Sequence, residues 1–301
     1  MKFTPIMKKI FVTLAAILIT FCACGRTNNV QNNACKTNET ESEEQASNTG
    51  TDWEEYELKG KVKQLTIRNY NAHEQAGTLV KDRLRNTFVI DFNEDGTFRQ
   101  ADWGDSKETY TYSQNRKTVN HYNEKGEWVK KTITVYTYTP WGAIQSKVYT
   151  NDEGIEMGRE DYTYNENRQV TDRILQGIAF PYTHETNLLY DSAGHEVQCE
   201  RFDRDGELKE TETNIYDASG NRIMHRVERF DGGIYAYGGA QRYTYNPEGF
   251  VSMIEGKGDE DDDFHISYKI SYIYDDKGNY TVENTMTEQF PSIQERDIVY
   301  Y

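Results

Sequence analysis

The fold is decided by the stretch Asn214-Ile-Tyr-Asp-Ala-Ser-Gly-Asn-Arg-Ile223, because variants of it recur along most of the chain. The side chain of Asp217 can accept a hydrogen bond from the amide two residues later, and Gly220 can adopt the left-handed conformation that closes a tight loop. This pattern is typical of a hairpin built on a type I turn followed by a left-handed residue. It therefore predicts two antiparallel strands joined at 217–220.

The same turn signal returns with a short polar residue three positions before a glycine. We predict turns of this type at Gly126, Gly142, Gly194, Gly206, Gly220, Gly249 and Gly278. Successive glycines at 194, 206 and 220 are 12 and 14 residues apart, which fits one strand and one turn. Two further turns carry Asn115 and Asn167 where the others carry glycine, and asparagine is the residue that next best tolerates the left-handed region. The repeat unit is thus a hairpin of roughly 26 to 30 residues.

Composition supports an all-β chain. Aromatic residues make up 13% of the 301 residues and 23 of them are tyrosines, which suit a half-buried pleated surface. The segment Lys209–Asn214 contains no apolar residue, so part of the sheet must be solvated on both faces. We therefore predict an antiparallel meander of about thirteen strands that forms an open, twisted or loosely closed sheet.

The N-terminal sequence predicts a secretion signal followed by a tether, which is a polar segment that links the signal to the folded domain. Residues 1–23 combine lysines with a short apolar run, which is typical of a signal peptide, and residues 24–52 are polar with little to bury. The cysteine at the end of the run resembles a bacterial lipobox, so we expect lipidation at Cys24 and attachment of the protein to a membrane of the cell envelope. An ordinary cleaved signal peptide with incidental cysteines is the alternative. The folded domain is expected at 53–301.

The charge limits the partners. The formal charge of −16 becomes −19 when the three lysines of residues 1–23 are removed, which argues against binding nucleic acid through a broad electrostatic surface. The cysteines leave two alternatives open: Cys35 and Cys199 could pair in an oxidising compartment, or Cys35 could remain unpaired.

Three of the turns carry a family resemblance. The segments Tyr243-Thr-Tyr-Asn-Pro-Glu-Gly249, Tyr272-Ile-Tyr-Asp-Asp-Lys-Gly278 and Tyr216-Asp-Ala-Ser-Gly220 resemble the YD-repeat (Rhs-repeat) family, and the resemblance covers about residues 88–280. Together with the lipobox it suggests a short Rhs-like lipoprotein of the Bacteroidota envelope. The resemblance implies an extracellular array of hairpins, with carbohydrate binding in some members and shells around toxins in long ones. This chain has too few repeats for us to expect an enclosed toxin.

No catalytic motif stands out in the sequence. The six histidines lack the spacing of metal ligands, and the chain has no nucleophile elbow, zinc-binding helix or phosphate loop, so we expect no cofactor. The acidic run 259–263 offers Asp259, Asp261 and Asp263 as weak candidates for Ca²⁺, but it lacks the glycine and glutamate of an EF-hand. A solvated hairpin loop is the alternative interpretation of this run.

Aromatic side chains give the better functional hypothesis. A sugar-stacking surface could be formed by Trp103, Trp128, Trp141, Tyr136, Tyr138, Tyr235 and Tyr237, although packing within the sheet is the alternative for each of them. We therefore predict a non-enzymatic envelope protein whose sheet binds glycans or a protein partner. The second hypothesis is a carbohydrate-active enzyme at the cell surface.

Overall fold

The computed structural model describes residues 51–261 and 263–301. The expected signal peptide, the lipidation site Cys24 and Cys35 lie outside the described residues. The described part begins with a single helical turn, α1, at Asp52–Glu55. Within the described residues, no helix has the length and apolar character needed to cross a membrane.

The rest of the chain is a succession of eighteen strands. They are β1 Val62–Gln75, β2 Thr78–Phe92, β3 Phe98–Asp102, β4 Ser106–Ser113, β5 Arg116–Asn123, β6 Trp128–Tyr138, β7 Ile144–Thr150, β8 Glu156–Tyr164, β9 Val170–Gly177, β10 Thr183–Tyr190, β11 Glu196–Phe202, β12 Leu208–Tyr216, β13 Arg222–Asp231, β14 Ile234–Tyr245, β15 Val251–Gly258, β16 His265–Tyr274, β17 Tyr280–Met286 and β18 Ser292–Tyr300.

Each strand pairs antiparallel with the next one along the chain, as the meander predicts. The last strand also pairs with the first, from Val62 opposite Tyr300 to Asn71 opposite Ser292, so the sheet is closed. The expectation of an open or loosely closed sheet of about thirteen strands is therefore wrong. The all-polar segment Lys209–Asn214 led to that expectation, but its glutamates are paired with arginines of neighbouring strands and do not require an open edge.

The turns have the geometry that the glycine pattern describes. In the β12–β13 turn, the amide of Gly220 donates to the carbonyl of Asp217 at 3.0 Å, and the Asp217 carboxylate accepts the amides of Ser219 and Asn221. The φ angle is between +77° and +90° at all seven of the predicted turn glycines, 126, 142, 194, 206, 220, 249 and 278. These are left-handed values that favour glycine.

Two turns differ from the expectation. Arg168, not Asn167, holds the left-handed position of the β8–β9 turn, with a φ of 63°. Ser113 pairs directly with Arg116, so the β4–β5 turn has only two residues and Asn115 does not occupy the place of a turn glycine. In both cases the asparagine matched the spacing in the sequence, but the hydrogen-bonded register placed the turn differently.

The two faces of the closed sheet differ in exposure. Side chains alternate between the faces along each strand, and residues opposite each other on neighbouring strands share a face. Side chains converge inside a closed sheet and diverge outside it, so the less exposed set faces inward. In β12, for example, the Glu212 side chain is 14% exposed, whereas Ile215 on the other face is 47% exposed.

An apolar cluster occupies the inner face at one end of the sheet. Its buried members are Leu58, Val62, Leu65, Ile67, Ile90, Phe92, Phe98 and Ala101. The segment around α1 covers this cluster: Trp53 donates to the Val62 carbonyl at 2.8 Å, and Tyr56 contacts Phe92 edge to face. We call this the closed end, because the N-terminal segment packs across it.

The rest of the inner face has few completely buried side chains among the described residues. A closed sheet of sixteen to eighteen strands encloses more space than its side chains can occupy. Accordingly, the large side chains that are almost completely buried are few among the described residues, and Phe92, Leu65, Ile90 and Val62 belong to the closed end. Away from the closed end, the inner face is formed mainly by polar and aromatic side chains that are partly buried.

Tyrosines connect neighbouring strands near the closed end. The hydroxyl of Tyr190 in β10 donates to the carbonyl of Val170 in β9 at 2.8 Å, and Tyr216 in β12 donates to Glu196 in β11 at 3.1 Å. Tyr164, Tyr245 and Tyr272 make equivalent bonds to the strand before their own. These bonds give a structural reason for tyrosines near several of the turns at the closed end.

Candidate functional site

The inner face carries the densest group of polar and aromatic side chains. Tyr136 and Tyr138 in β6 lie side by side with ring centroids 6.3 Å apart and an angle of 20° between the ring planes. Both are partly buried, and Tyr136 is directly opposite Lys147 in β7. The two rings are nearly parallel and lie next to a charged group.

That charged group belongs to the Glu160 cluster, which consists of Lys147, Tyr149, Glu160 and Tyr162. Glu160 accepts hydrogen bonds from Lys147 at 2.8 Å, from Tyr149 at 2.5 Å and from Tyr162. Burial alone would raise the pKa of Glu160, but these three hydrogen bonds outweigh burial and hold the pKa below its ordinary value. The carboxylate is therefore an ionised acceptor and is poorly suited to donate a proton as a general acid.

A second group, the Arg201 cluster, lies on the inner face of β9 to β13. Its members form a row of alternating charge in which neighbours are directly opposite each other: Arg173, Glu185, Arg201, Glu210 and Arg229. Glu196, Glu212 and His225 complete the cluster. Such cross-strand pairs of opposite charge stabilise a sheet.

Arg201 is the centre of this cluster. Its guanidinium binds Glu185 at 2.7 Å, Glu212 at 2.9 Å and also Glu210. Burial would raise the pKa of Glu212, but a hydrogen bond from His225 and the charge of Arg201 lower it to about 2. Each arginine of the cluster pairs with at least one of its glutamates, so we assign the cluster to holding these strands together rather than to binding.

Chemistry based on the buried cysteine is disfavoured. Cys199 lies on the inner face of β11 and is free of a disulfide within the described residues. Burial, more than any other influence, raises the pKa of its thiol to about 12. A thiol that stays protonated at neutral pH is a weak nucleophile.

The predicted aromatic residues do not converge on one surface. Trp103 packs edge to face on Phe88 and donates its indole N–H to Glu108 at 2.9 Å, which is a packing role. Trp141 lies in the β6–β7 turn against Tyr164. Of the seven candidates, the structure brings Tyr136 and Tyr138 together on the inner face.

Three other candidates lie at the end of the sheet opposite the closed end. Trp128 begins β6 and is 51% exposed, whereas Tyr235 and Tyr237 lie at the start of β14, eight strands away. At about 4.8 Å per strand the separation along the sheet is ~38 Å. Trp128 therefore cannot share a ligand surface with the two tyrosines unless the ligand is very extended.

The acidic loop uses its oxygens within the protein. Asp259 accepts hydrogen bonds from the Tyr235 hydroxyl and the Gly238 amide, and Asp261 accepts the Gly258 amide at 2.8 Å. Among the residues that the structure describes, no group of three or more His, Cys, Asp or Glu side chains is arranged to hold a metal ion. The loop thus has the geometry of a hydrogen-bonded hairpin connection.

Sequence reasoning missed Lys147, Glu160 and Tyr162. Each looks like an ordinary strand residue, and acids are too common in this chain to mark a site. The available signal was the alternation of strand residues, which places Tyr162 and Glu160 on one face. The sequence alone does not show which of the two faces is enclosed.

Comparison with known proteins gives a loose likeness in fold. No family model matches the chain, and no curated protein matches it. Among solved structures, a porin-like protein from Bacteroides uniformis ATCC 8492 is 11% identical, with a TM-score of 0.43, and the match covers 79% of this chain and 98% of that one. A porin-like protein from Bacteroides vulgatus ATCC 8482 is 9% identical, with a TM-score of 0.36 and coverage of 80% and 98%.

A third likeness is to a chain in a complex of TcdB2, TccC3 and Cdc42. It is 12% identical, with a TM-score of 0.33, and the match covers 76% of this chain but 14% of that one. At these TM-scores none of the three likenesses assigns a function to the protein.

Proposed function

We propose that this protein is a non-enzymatic binding protein of the cell envelope, anchored by lipid at Cys24, whose inner face binds a glycan. The observation that carries the proposal is the nearly parallel pair Tyr136 and Tyr138 beside the Glu160 cluster. It places two aromatic rings, an ammonium group and a carboxylate close together on the inner face.

Glycans fit this surface for a physical reason. The carbon-bound hydrogens of a pyranose ring pack on aromatic faces, while its hydroxyls need donors and acceptors of the kind that Lys147 and Glu160 supply. The hydroxyls of Tyr149 and Tyr162 lie on the same carboxylate and add further hydrogen-bonding groups. A flat apolar ligand could pack on the rings but would make no hydrogen bond to these polar groups.

The proposed cellular location rests on the N-terminal sequence. The signal-like residues 1–23, the lipobox-like Cys24 and the polar residues after it support an anchored envelope protein. The YD-repeat resemblance supports the same location. The acidic chain disfavours nucleic acid as the ligand, and a protein is the second candidate partner.

A glycan array with the mature protein tests the proposal. We expect binding to at least one glycan class, with the affinity reduced about 10-fold or more in Tyr136→Ala and Tyr138→Ala. Trp128→Ala is the matched control, because Trp128 is an exposed aromatic residue of the same strand that lies outside the tyrosine pair. Binding by no glycan, or equal losses in all three variants, would contradict the proposal. Release of reducing ends from a polysaccharide would instead favour the carbohydrate-active enzyme.

A further inference from the structure

One strand of the closed sheet has a long edge without a partner in the described residues. β2 extends over Thr78–Phe92, but β3 is short and pairs only with the part from Val89 to Phe92. On its other side, β2 pairs with β1 as far as Thr78. From Thr78 to Phe88, the backbone groups that face away from β1 therefore have no strand beside them in the part of the chain that the structure describes.

This edge carries three basic residues, Lys81, Arg83 and Arg85, and one acid, Asp82, which pairs with His73 at 2.8 Å. Arg83 and Arg85 are exposed, and neither makes an ion pair with another described residue. Lys81 is also exposed but is paired with Glu295. The edge thus combines unpaired backbone donors and acceptors with two available guanidinium groups, which suits an extended acidic segment.

A second copy of the same edge is a poor occupant. Two such edges would bring Arg83 and Arg85 of one chain near those of the other, and like charges that face each other are destabilising. Positive charges along an edge are one of the features by which edge strands avoid pairing with themselves.

The chain itself contains an acidic segment of suitable sequence. Glu39, Glu41 and Glu43 alternate with Thr40 and Ser42, so an extended backbone would present all three carboxylates on one face. A fourth acid, Glu44, follows directly. This segment lies outside the described residues, and its sequence is complementary in charge to the β2 edge.

The start of the described chain is close enough for this segment to reach the edge. Thr51 packs against the backbone of Gly96, just after the end of β2. Arg85 precedes Phe92 by seven residues, or ~23 Å along a strand. Glu41 precedes Thr51 by ten residues, which can span up to ~34 Å. β2 runs toward the closed end, so a segment that followed this edge before reaching Thr51 would run parallel to β2.

We propose that the acidic segment Glu39–Glu44 docks along the free edge of β2, with its carboxylates on Arg83 and Arg85. Because the segment is covalently joined to the domain through a few residues, its effective concentration at the edge is on the order of millimolar. The interaction is electrostatic in part and weakens as the salt concentration rises. Docking would protect the exposed edge from pairing with other proteins and shorten the free part of the expected tether.

Hydrogen exchange on the full chain tests this docking. In wild type at low salt, we expect the β2 amides of 82–87 that face away from β1 to exchange about 10-fold more slowly than in a variant in which Glu39, Glu41, Glu43 and Glu44 are all changed to Gln. The matched control changes four exposed turn acids instead, Glu94, Glu124, Glu153 and Glu166, also to Gln. The control should exchange like wild type.

Equal exchange in wild type and the first variant would overturn the proposal, as would an equal acceleration in both variants. A disulfide trap identifies the occupant. With Cys35→Ser in the background, Glu41→Cys combined with Arg85→Cys should give a cross-link within one chain. A cross-link that forms only between chains would show that a second copy occupies the edge, contrary to the proposal.

Discussion

Glu212→Gln provides a direct test of the charged inner face, because the pKa of Glu212 links the Arg201 cluster to acid stability. In the folded protein this pKa lies at about 2, below the ordinary value of 4.5. A carboxyl whose folded pKa is depressed stabilises the protein above its unfolded pKa and loses this contribution as the pH falls through the folded value. The relevant window is therefore pH 4.5 down to about 2.

The magnitude follows from the two values. A difference between 4.5 and about 2 corresponds to ~3 kcal/mol, because each tenfold change in an equilibrium constant is worth about 1.4 kcal/mol. The Glu212 side chain is 14% exposed, so screening by solvent removes little of this contribution. We expect Glu212→Gln to lower the free energy of unfolding at pH 7 by about 2–3 kcal/mol.

The assay is denaturant unfolding of wild type and Glu212→Gln at a series of pH values from 7 to 2. The two stability curves should be about 2–3 kcal/mol apart at neutral pH and should converge as the pH falls through the window. Asp205→Asn is the control, since Asp205 is an exposed acid in the β11–β12 turn, and its curve should follow that of wild type. A constant gap between wild type and Glu212→Gln at every pH would refute the reasoning.

Three further predictions concern the turns, the pairing of neighbouring strands and the lipid anchor. In denaturant unfolding, Gly206→Val should destabilise the protein by about 1–3 kcal/mol, because φ is +78° and a β-branched residue is strained there. Gly206→Asn should cost clearly less, since asparagine tolerates this conformation and a Cβ at this position meets nothing within 4 Å. Tyr190→Phe should lower the free energy of unfolding by about 1 kcal/mol and speed hydrogen exchange where β9 pairs with β10. The effect on exchange should exceed that of Tyr216→Phe where β11 pairs with β12, because β9 and β10 share three paired positions and β11 and β12 share five. Cys24→Ala should release the protein from membranes and abolish labelling with a palmitate analogue; labelling equal to wild type would contradict lipidation.

The local architecture was predictable from the sequence. The spacing of Gly194, Gly206 and Gly220 implied hairpins, because only the left-handed conformation closes a five-residue loop of this kind and glycine adopts it at little cost. These three glycines have φ values of +78° to +90°. Short-range hydrogen bonds such as those around Asp217 depend on residues within four positions, so a linear pattern contains the necessary information.

The closure of the sheet and the candidate site depended on the tertiary structure. Closure requires β1 to pair with β18 across more than 200 residues, and no local pattern specifies that contact. The hairpin registers bring Arg201 to Glu210 and Tyr136 to Lys147, but closure decides that these pairs lie on an enclosed face. The sequence by itself determined the alternation along each strand, whereas the contact between the two ends of the chain turned one of the two faces into an enclosed polar surface.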